Sequence, residues 1–365
     1  MTARALRILL VANDGLSAGH VTRAVAIARG LWRRAAARGI EVRALLLTSS
    51  EAHAIMDGEP LAVVRVPAPA AARRAGIADA ERRRLVAAIA EAAFDGFGPD
   101  LAVADTFPAG PHGELLGIGR RCRRALVRRA VADERADALT RGMADHDLAI
   151  LADDPFAVPA ELPIPVVRVP PIVLPCVPPS ALPDQPLDRA AARAELGLPA
   201  SGRAILVACG GGGDAEAVAN AAALAAAVAR LGDATAALAL GPLAAHAPRI
   251  EPAARVRAIH APRLSRLLAA FDGAIAPAGY NTAHELAAAR VPAALFARPR
   301  PFDDQAARAA RLAAAGYAHV LAGFDDGAVA AALAWMTAAP RPALAADGAD
   351  RAADALIDLA TGARP

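Results

Sequence analysis

The chain has 365 residues, 56% of them hydrophobic and 3% aromatic, with a formal net charge of +3. That length favours two domains with cores of Ala, Leu and Val, and the mild charge, without basic residues interleaved with stacking aromatics, argues against a nucleic-acid binder. Cys122, Cys176 and Cys209 are too few and too far apart for a disulfide framework or a zinc site.

The predicted elements follow in chain order. Residues 7–12 read as a buried strand. Their apolar run is too short for a signal peptide or a membrane span, so the chain reads as cytoplasmic. Asn13-Asp14-Gly15 closes the strand as a turn. A helix is predicted at 19–38, then strands at 41–48, 61–66, 101–104, 148–152 and 166–169. Strand and helix in alternation predict a parallel sheet covered on both faces. Proline is dense from 159 to 186 and cannot occupy a regular helix or an inner strand, so this stretch reads as a linker. A second α/β series follows. It has helices at 187–196, 214–231, 264–271, 282–289, 304–315 and 349–359, with strands at 204–209, 234–240, 256–260, 273–276 and 293–296. The predicted fold is α/β, two Rossmann-like domains facing each other across a cleft. The first domain is 1–172, a Pro-rich linker covers 173–201, the second domain is 202–340, and the helix in 341–365 is free to return to the first.

Four strand-to-helix junctions carry candidate chemistry, at the sheet edge where open α/β folds bind ligands. The first runs from Asn13 to Arg23 as NDGLSAGHVTR. Gly19 lets the backbone turn, and His20 opens the helix either as a base or as its cap. The spacing is not the GxGxxG of a dinucleotide site. The second is Cys209-Gly210-Gly211-Gly212-Gly213-Asp214. Four glycines in a row are entropically costly, and fit either main chain passing close to a phosphate or a flexible loop. The third is Ala278-Gly279-Tyr280-Asn281-Thr282-Ala283-His284-Glu285. Asn281 or Thr282 can cap the helix, aiming its amides at an anion. Glu285 either completes a capping box with Thr282 or accepts hydrogen bonds from ribose hydroxyls. The fourth is RPRPFDDQ at 298–305, where Asp304 and Gln305 either start a helix or hold vicinal sugar hydroxyls. Asp153-Asp154 and Asp325-Asp326 are not DxD motifs, so no metal is predicted. The basic run Arg120-Arg121-Cys122-Arg123-Arg124, with Arg128-Arg129, reads as a solvated face, or as contact with a charged acceptor or an anionic membrane surface at the inner face.

Residues 19–23, 210–213, 275–292 and 298–308 together resemble inverting GT-B glycosyltransferases. The Asn-Thr turn, Glu285 and the Asp304-Gln305 loop are similar to the donor site of the family 28 N-acetylglucosaminyltransferases of cell-wall synthesis. Segments like 104–108 and 113–115 occur in a related branch of predicted bacterial glycosyltransferases. The resemblance implies metal-independent transfer of a sugar from a UDP-type donor, with N-acetylglucosamine the leading sugar, to an acceptor hydroxyl with inversion. The nucleotide sugar is a co-substrate, and no cofactor is implied. By the same resemblance Glu285 holds the ribose, and Gly279, Asn281 and Thr282 meet the diphosphate with Gly211 and Gly212 nearby. Asp304 and Gln305 read the sugar, and Ile259 or His260, in a loop before the 264–271 helix, flanks the base. The acceptor belongs to the first domain, on the side of Gly19 and Glu114. The sequence departs from the pattern at Ala278, often glycine in the family, and at Asp14 and Ser17, which replace a run of glycines. His20 is the predicted general base, with Asp105, just past a strand of the same domain, as its rival. Two other readings are a nucleotide-sugar epimerase, which needs no acceptor, and a sugar-nucleotide-binding protein without catalysis.

Overall fold

Parallel sheets covered on both faces need strands that are apolar almost throughout, and β1 (Leu6–Val11), with five of its six residues buried, is of that kind. The computed structural model describes residues 4–13, 18–131, 137–152, 162–174, 186–244, 255–300, 302–342 and 344–363. Asp14 and Ser17, the Asp153-Asp154 pair, Cys176 and most of the proline-rich stretch lie outside the described residues. The chain divides into two units: Met1–Val173 with Asp347–Pro365, and Leu174–Ala346.

In the first unit β1 is followed by α1 (Gly19–Ala37), β2 (Val42–Thr48), α2 (His53–Met56), β3 (Ala62–Arg65), α3 (Pro69–Arg74), α4 (Asp79–Phe97), β4 (Leu101–Asp105), β5 (Arg123–Arg128), α5 (Asp137–Thr140), β6 (Leu148–Ala152) and β7 (Val166–Val169). The strands pair in parallel in the order β3-β2-β1-β4-β5-β6-β7. Leu9 of β1 lies between Leu45 and Ala102. Helix α4 turns Val86, Ala90 and Phe94, four residues apart, onto the core that holds Leu9 and Leu47. Gly98, with φ of 57°, ends it by returning its N–H to Phe94 O.

The basic run is split: Arg120, Arg121 and Arg123 are exposed, as its sequence reading has it, whereas the inner strand Arg123–Arg128 buries Arg124 and Arg128, which corrects the reading for those two. Arg124 and Arg128 are buried, donating to the carbonyls of Gly119, Pro108 and Leu139. Long guanidinium stems allow this, since buried cations persist where carbonyl oxygens satisfy them.

The second unit contains α6 (Arg189–Glu195), β8 (Arg203–Ala208), α7 (Ala215–Leu231), β9 (Ala234–Leu240), β10 (Val256–His260), a 3-10 turn at Leu264–Ala270, β11 (Gly273–Pro277), α8 (Tyr280–Ala288), β12 (Ala293–Phe296), α9 (Gln305–Ala314), β13 (Ala318–Val320) and α10 (Asp326–Ala338). The parallel order is β10-β9-β8-β11-β12-β13. Arg193 fastens α6 to the sheet by donating to Ala270 O, Pro199 O, Gly202 O and Asp272.

The terminal helix α11 (Gly348–Thr361) packs on α1 in the first unit. The backbones approach so closely that a Cβ on Gly30 would stand 2.5 Å from Ala349 O. Arg33, Arg34 and Arg38 pair with Asp350, Asp354 and Asp358 along the seam. The connectivity places one reversal of strand order in each sheet, between β1 and β4 and between β8 and β11. Such switch points open a crevice at the carboxyl ends of the strands.

Candidate functional site

In the first unit the crevice holds a connected polar group. His20, in the first turn of α1, places Nδ1 2.8 Å from Asp105 Oδ2 at the end of β4. The carboxylate identifies Nδ1 as the protonated nitrogen and Nε2 as the one with the lone pair. His20 is not a cap, since Ala18 holds that position without a side-chain hydrogen bond. The two residues predicted as rival bases are therefore partners.

Arg23, one turn after His20 and buried, forks onto the same carboxylate, with Nε 3.0 Å from Oδ1 and Nη2 2.7 Å from Oδ2. Burial pushes the Asp105 carboxyl upward, but Arg23 and His20 outweigh it and hold the group below its ordinary value. Thr106 follows with φ of 67°, a strained angle for a β-branched residue. Its N–H donates to Val127 O at 2.7 Å, and its hydroxyl accepts from Arg23 at 3.3 Å.

Glu114 lies in the loops beside this group. Asn13 Nδ2 and His112 N donate to it, and burial raises its carboxyl above the ordinary value. Gly110, with φ of 76°, makes room for it, because a Cβ there would fall 2.4 Å from the Glu114 carboxyl carbon. Gly19 is the first residue of α1, directly before His20.

In the second unit Gly210 and Gly212 adopt φ near 78° and 79°. At Gly210 and Gly212 the fold itself needs glycine. A Cβ on Gly212 would meet Ala244 N at 2.9 Å, and Leu243 N donates to Gly211 O at 3.0 Å. Asp214 then caps α7, accepting from Glu216 N and Ala217 N, and pairs with Arg298 from the loop after β12.

Helix α8 starts two residues earlier than its sequence reading. Its N-cap is Gly279, which makes no side-chain cap, so neither Asn281 nor Thr282 caps it and no Thr282–Glu285 capping box forms. Burial of the Tyr280 ring at the first helical position, under Arg308 at 5.7 Å, accounts for the early start. Gly279 differs from Gly212 in that the protein makes no steric demand on it. Its φ is −62°, and among the described residues an added Cβ would meet only Gln305 Nε2, at 4.0 Å. The described residues leave room at the helix start. Glu285, one turn on and half-buried, is pushed up to about 7 by burial, against a hydrogen bond from the Leu174 backbone.

Asp304 caps α9, accepting from Ala307 N at 2.9 Å. Gln305 is buried, and both its carboxamide atoms are used inside the protein. Oε1 accepts from Arg298 N at 3.1 Å, and Nε2 donates to Asp303 at 3.0 Å. Ile259 and His260 are strand residues of β10, not loop residues. Ile259 is buried and His260 is exposed. The sequence reading assigned no role to Arg23, Asp214 or Arg298. The three-residue step from His20 to Arg23, which puts both on one helix face, was the available signal for the first.

Among the described residues no cluster of three or more His, Cys, Asp or Glu side chains forms a metal-binding group. None of the described helices is long and apolar enough to cross a membrane.

No protein-family model and no curated protein matches the sequence. Solved structures do match the fold. The glycosyltransferase of kitacinnamycin superposes with a TM-score of 0.66 at 16% identity, over 98% of this chain and 99% of that one. The spinosyn rhamnosyltransferase SpnG complexed with thymidine diphosphate gives 0.60 at 20% identity, over 98% and 96%. SnogD from Streptomyces nogalater, a glycosyltransferase, gives 0.58 at 21% identity, over 98% and 100%. The chain thus has two parallel-sheet Rossmann-like domains of the GT-B glycosyltransferase fold across 98% of its length.

Proposed function

We propose that the protein is an inverting glycosyltransferase that moves a sugar from a nucleoside-diphosphate donor to an acceptor hydroxyl, with His20 as general base. The observation that carries this reading is the 2.8 Å contact between His20 Nδ1 and Asp105 at the first switch point. A fold shared by many functions cannot carry it, but a histidine oriented by a carboxylate is the constellation that deprotonates a hydroxyl.

The acceptor O–H gives its proton to Nε2, and its oxygen attacks the anomeric carbon. The bond to the diphosphate breaks with the electron pair going to the phosphate oxygen. Asp105 stabilises the imidazolium that forms. In the second unit Glu285 holds the ribose, and the start of α8 around Gly279, Asn281 and Thr282 stabilises the departing diphosphate as a preorganised dipole. Gly211 and Gly212 shape that crevice, and Asp304, Gln305 and His260 border the sugar and base. Transfer on this reading needs no metal. The donor base is uracil or thymine. The sequence resemblance favours a UDP-sugar such as UDP-N-acetylglucosamine, and thymidine diphosphate is the ligand carried by SpnG. The acceptor meets the first unit near His20 and Glu114.

The test is incubation with UDP- and TDP-sugars and a panel of hydroxylated acceptors, with the product's anomeric configuration read by NMR. Inverted glycoside supports the reading. Retention, or conversion of donor to a stereoisomer without acceptor, contradicts it.

A further inference from the structure

In the second sheet β11 lies between β8 and β12, so the ends of those outer two are about 10 Å apart, two strand spacings. Asp214, beyond β8, and Arg298, two residues beyond β12, nevertheless form an ion pair. The loop after β8, whose Gly210 would place a Cβ 3.5 Å from Pro277 at the end of β11, and the Arg298 side chain together close that gap, so the pair lies by the carboxyl end of β11, the strand that leads into α8. Its charge is felt at the end of β8 as well. Burial raises the Cys209 thiol, and Arg298 is among the groups opposing that rise. The root of the side chain is fixed, because Gln305 Oε1 accepts from Arg298 N at 3.1 Å while Gln305 Nε2 stands 4.0 Å from a Cβ position on Gly279.

We propose that Arg298 binds the diphosphate of the nucleotide sugar, and that Asp214 is a stand-in counter-ion that holds the guanidinium over the crevice until the diphosphate replaces it. This rests on the nucleotide-sugar reading above and names the cation of that site. A guanidinium fork matches two phosphate oxygens. The exchange strands neither partner, since Asp214 keeps the amides of Glu216 and Ala217 after giving up the arginine. The pair is also partly hydrated, with side chains 19% and 29% exposed, and so is far weaker than a buried one. The buried alternative, Arg308, is committed to Asp303 and Ala278 O. When the anomeric bond breaks, the phosphate oxygen takes the electron pair and Arg298 offsets the added charge.

The test is calorimetric titration of UDP, TDP, uridine and thymidine into the wild-type protein, Arg298→Gln and Asp214→Asn, with melting temperatures as a check on folding. Arg298→Gln is expected to weaken the diphosphates by about ten- to a hundredfold and to leave nucleoside affinity unchanged. Asp214→Asn keeps the helix cap and should tighten the diphosphates. Unchanged diphosphate affinity in Arg298→Gln overturns the proposal. So does an equal loss for nucleosides and diphosphates, or weaker binding in Asp214→Asn, each the mark of a strap that only holds loops together. Wild-type protein that binds neither nucleoside nor diphosphate sinks the nucleotide-sugar reading and this proposal together, whereas wild-type binding with an indifferent Arg298→Gln sinks this proposal alone.

Discussion

Glu285 is expected to make nucleoside binding depend on pH around neutrality. Burial lifts its carboxyl from an ordinary 4.5 to about 7. The ionised form accepts from both ribose hydroxyls, one on each oxygen, whereas protonation turns one of those oxygens into a donor. For a group titrating near 7, the ionised fraction is about a tenth at pH 6 and about nine tenths at pH 8, so uridine should bind roughly tenfold tighter at pH 8 than at pH 6. Uridine is the probe of choice because it lacks phosphates that titrate in the same range.

The same shift has a stability consequence of opposite sign. The folded state binds the Glu285 proton more tightly than the unfolded state does. This contribution is therefore fully present below pH 4.5 and is lost as pH rises through about 7. Its size, from the shift, is on the order of 3 kcal/mol. Urea titrations at pH 5 and pH 8 should show a decline that Glu285→Gln removes, and the same substitution should flatten the uridine profile. A wild-type uridine affinity equal at pH 6 and pH 8, or a Glu285→Gln variant that keeps the slope, would refute the reasoning.

Arg193→Ala leaves four carbonyls without their shared donor, while Asp272 keeps Arg189 and the Ala204 amide, so urea unfolding should show a loss of about 1–3 kcal/mol; a loss near zero would contradict that role. Gly30→Val drives a side chain into Ala349 O, and overpacking of this kind costs about 1–3 kcal/mol. Limited proteolysis should then release α11 early, and wild-type resistance would refute the close helix approach. Transfer activity in excess chelator should equal activity with magnesium, and a loss that manganese restores would reject metal independence.

Much of the fold was legible because buried parallel strands are near-continuous apolar runs. Strands 148–152, 166–169, 234–240, 256–260 and 293–296 were read with the bounds they have. Helix α4 was not read, because its apolar residues are diluted by Ala and Arg and give little periodicity. Strand β5 was not read because its arginines look like a solvated surface, which holds for Arg123, while the long stems of Arg124 and Arg128 reach backbone carbonyls inside the protein. Motif positions were readable but their contacts were not. The glycine run after β8 was read as passing close to a phosphate, and the demand that a neighbouring backbone makes on Gly212 was not visible in the sequence. Gln305 was read as a sugar contact, and its bonds to Arg298 and Asp303 inside the protein were not visible in the sequence. His20 and Asp105 stood as alternatives in the sequence because 85 positions separate them, and only the β1–β4 pairing brings them together.

The most direct test of the account is the turnover number of His20→Ala beside wild type, with saturating nucleotide sugar and an acceptor that the wild-type protein glycosylates. A positioned base contributes roughly 10²–10⁴-fold in rate, so kcat should fall by about that factor while donor affinity stays unchanged. A His20→Ala variant that turns over at the wild-type rate would contradict the assignment of His20 as the base.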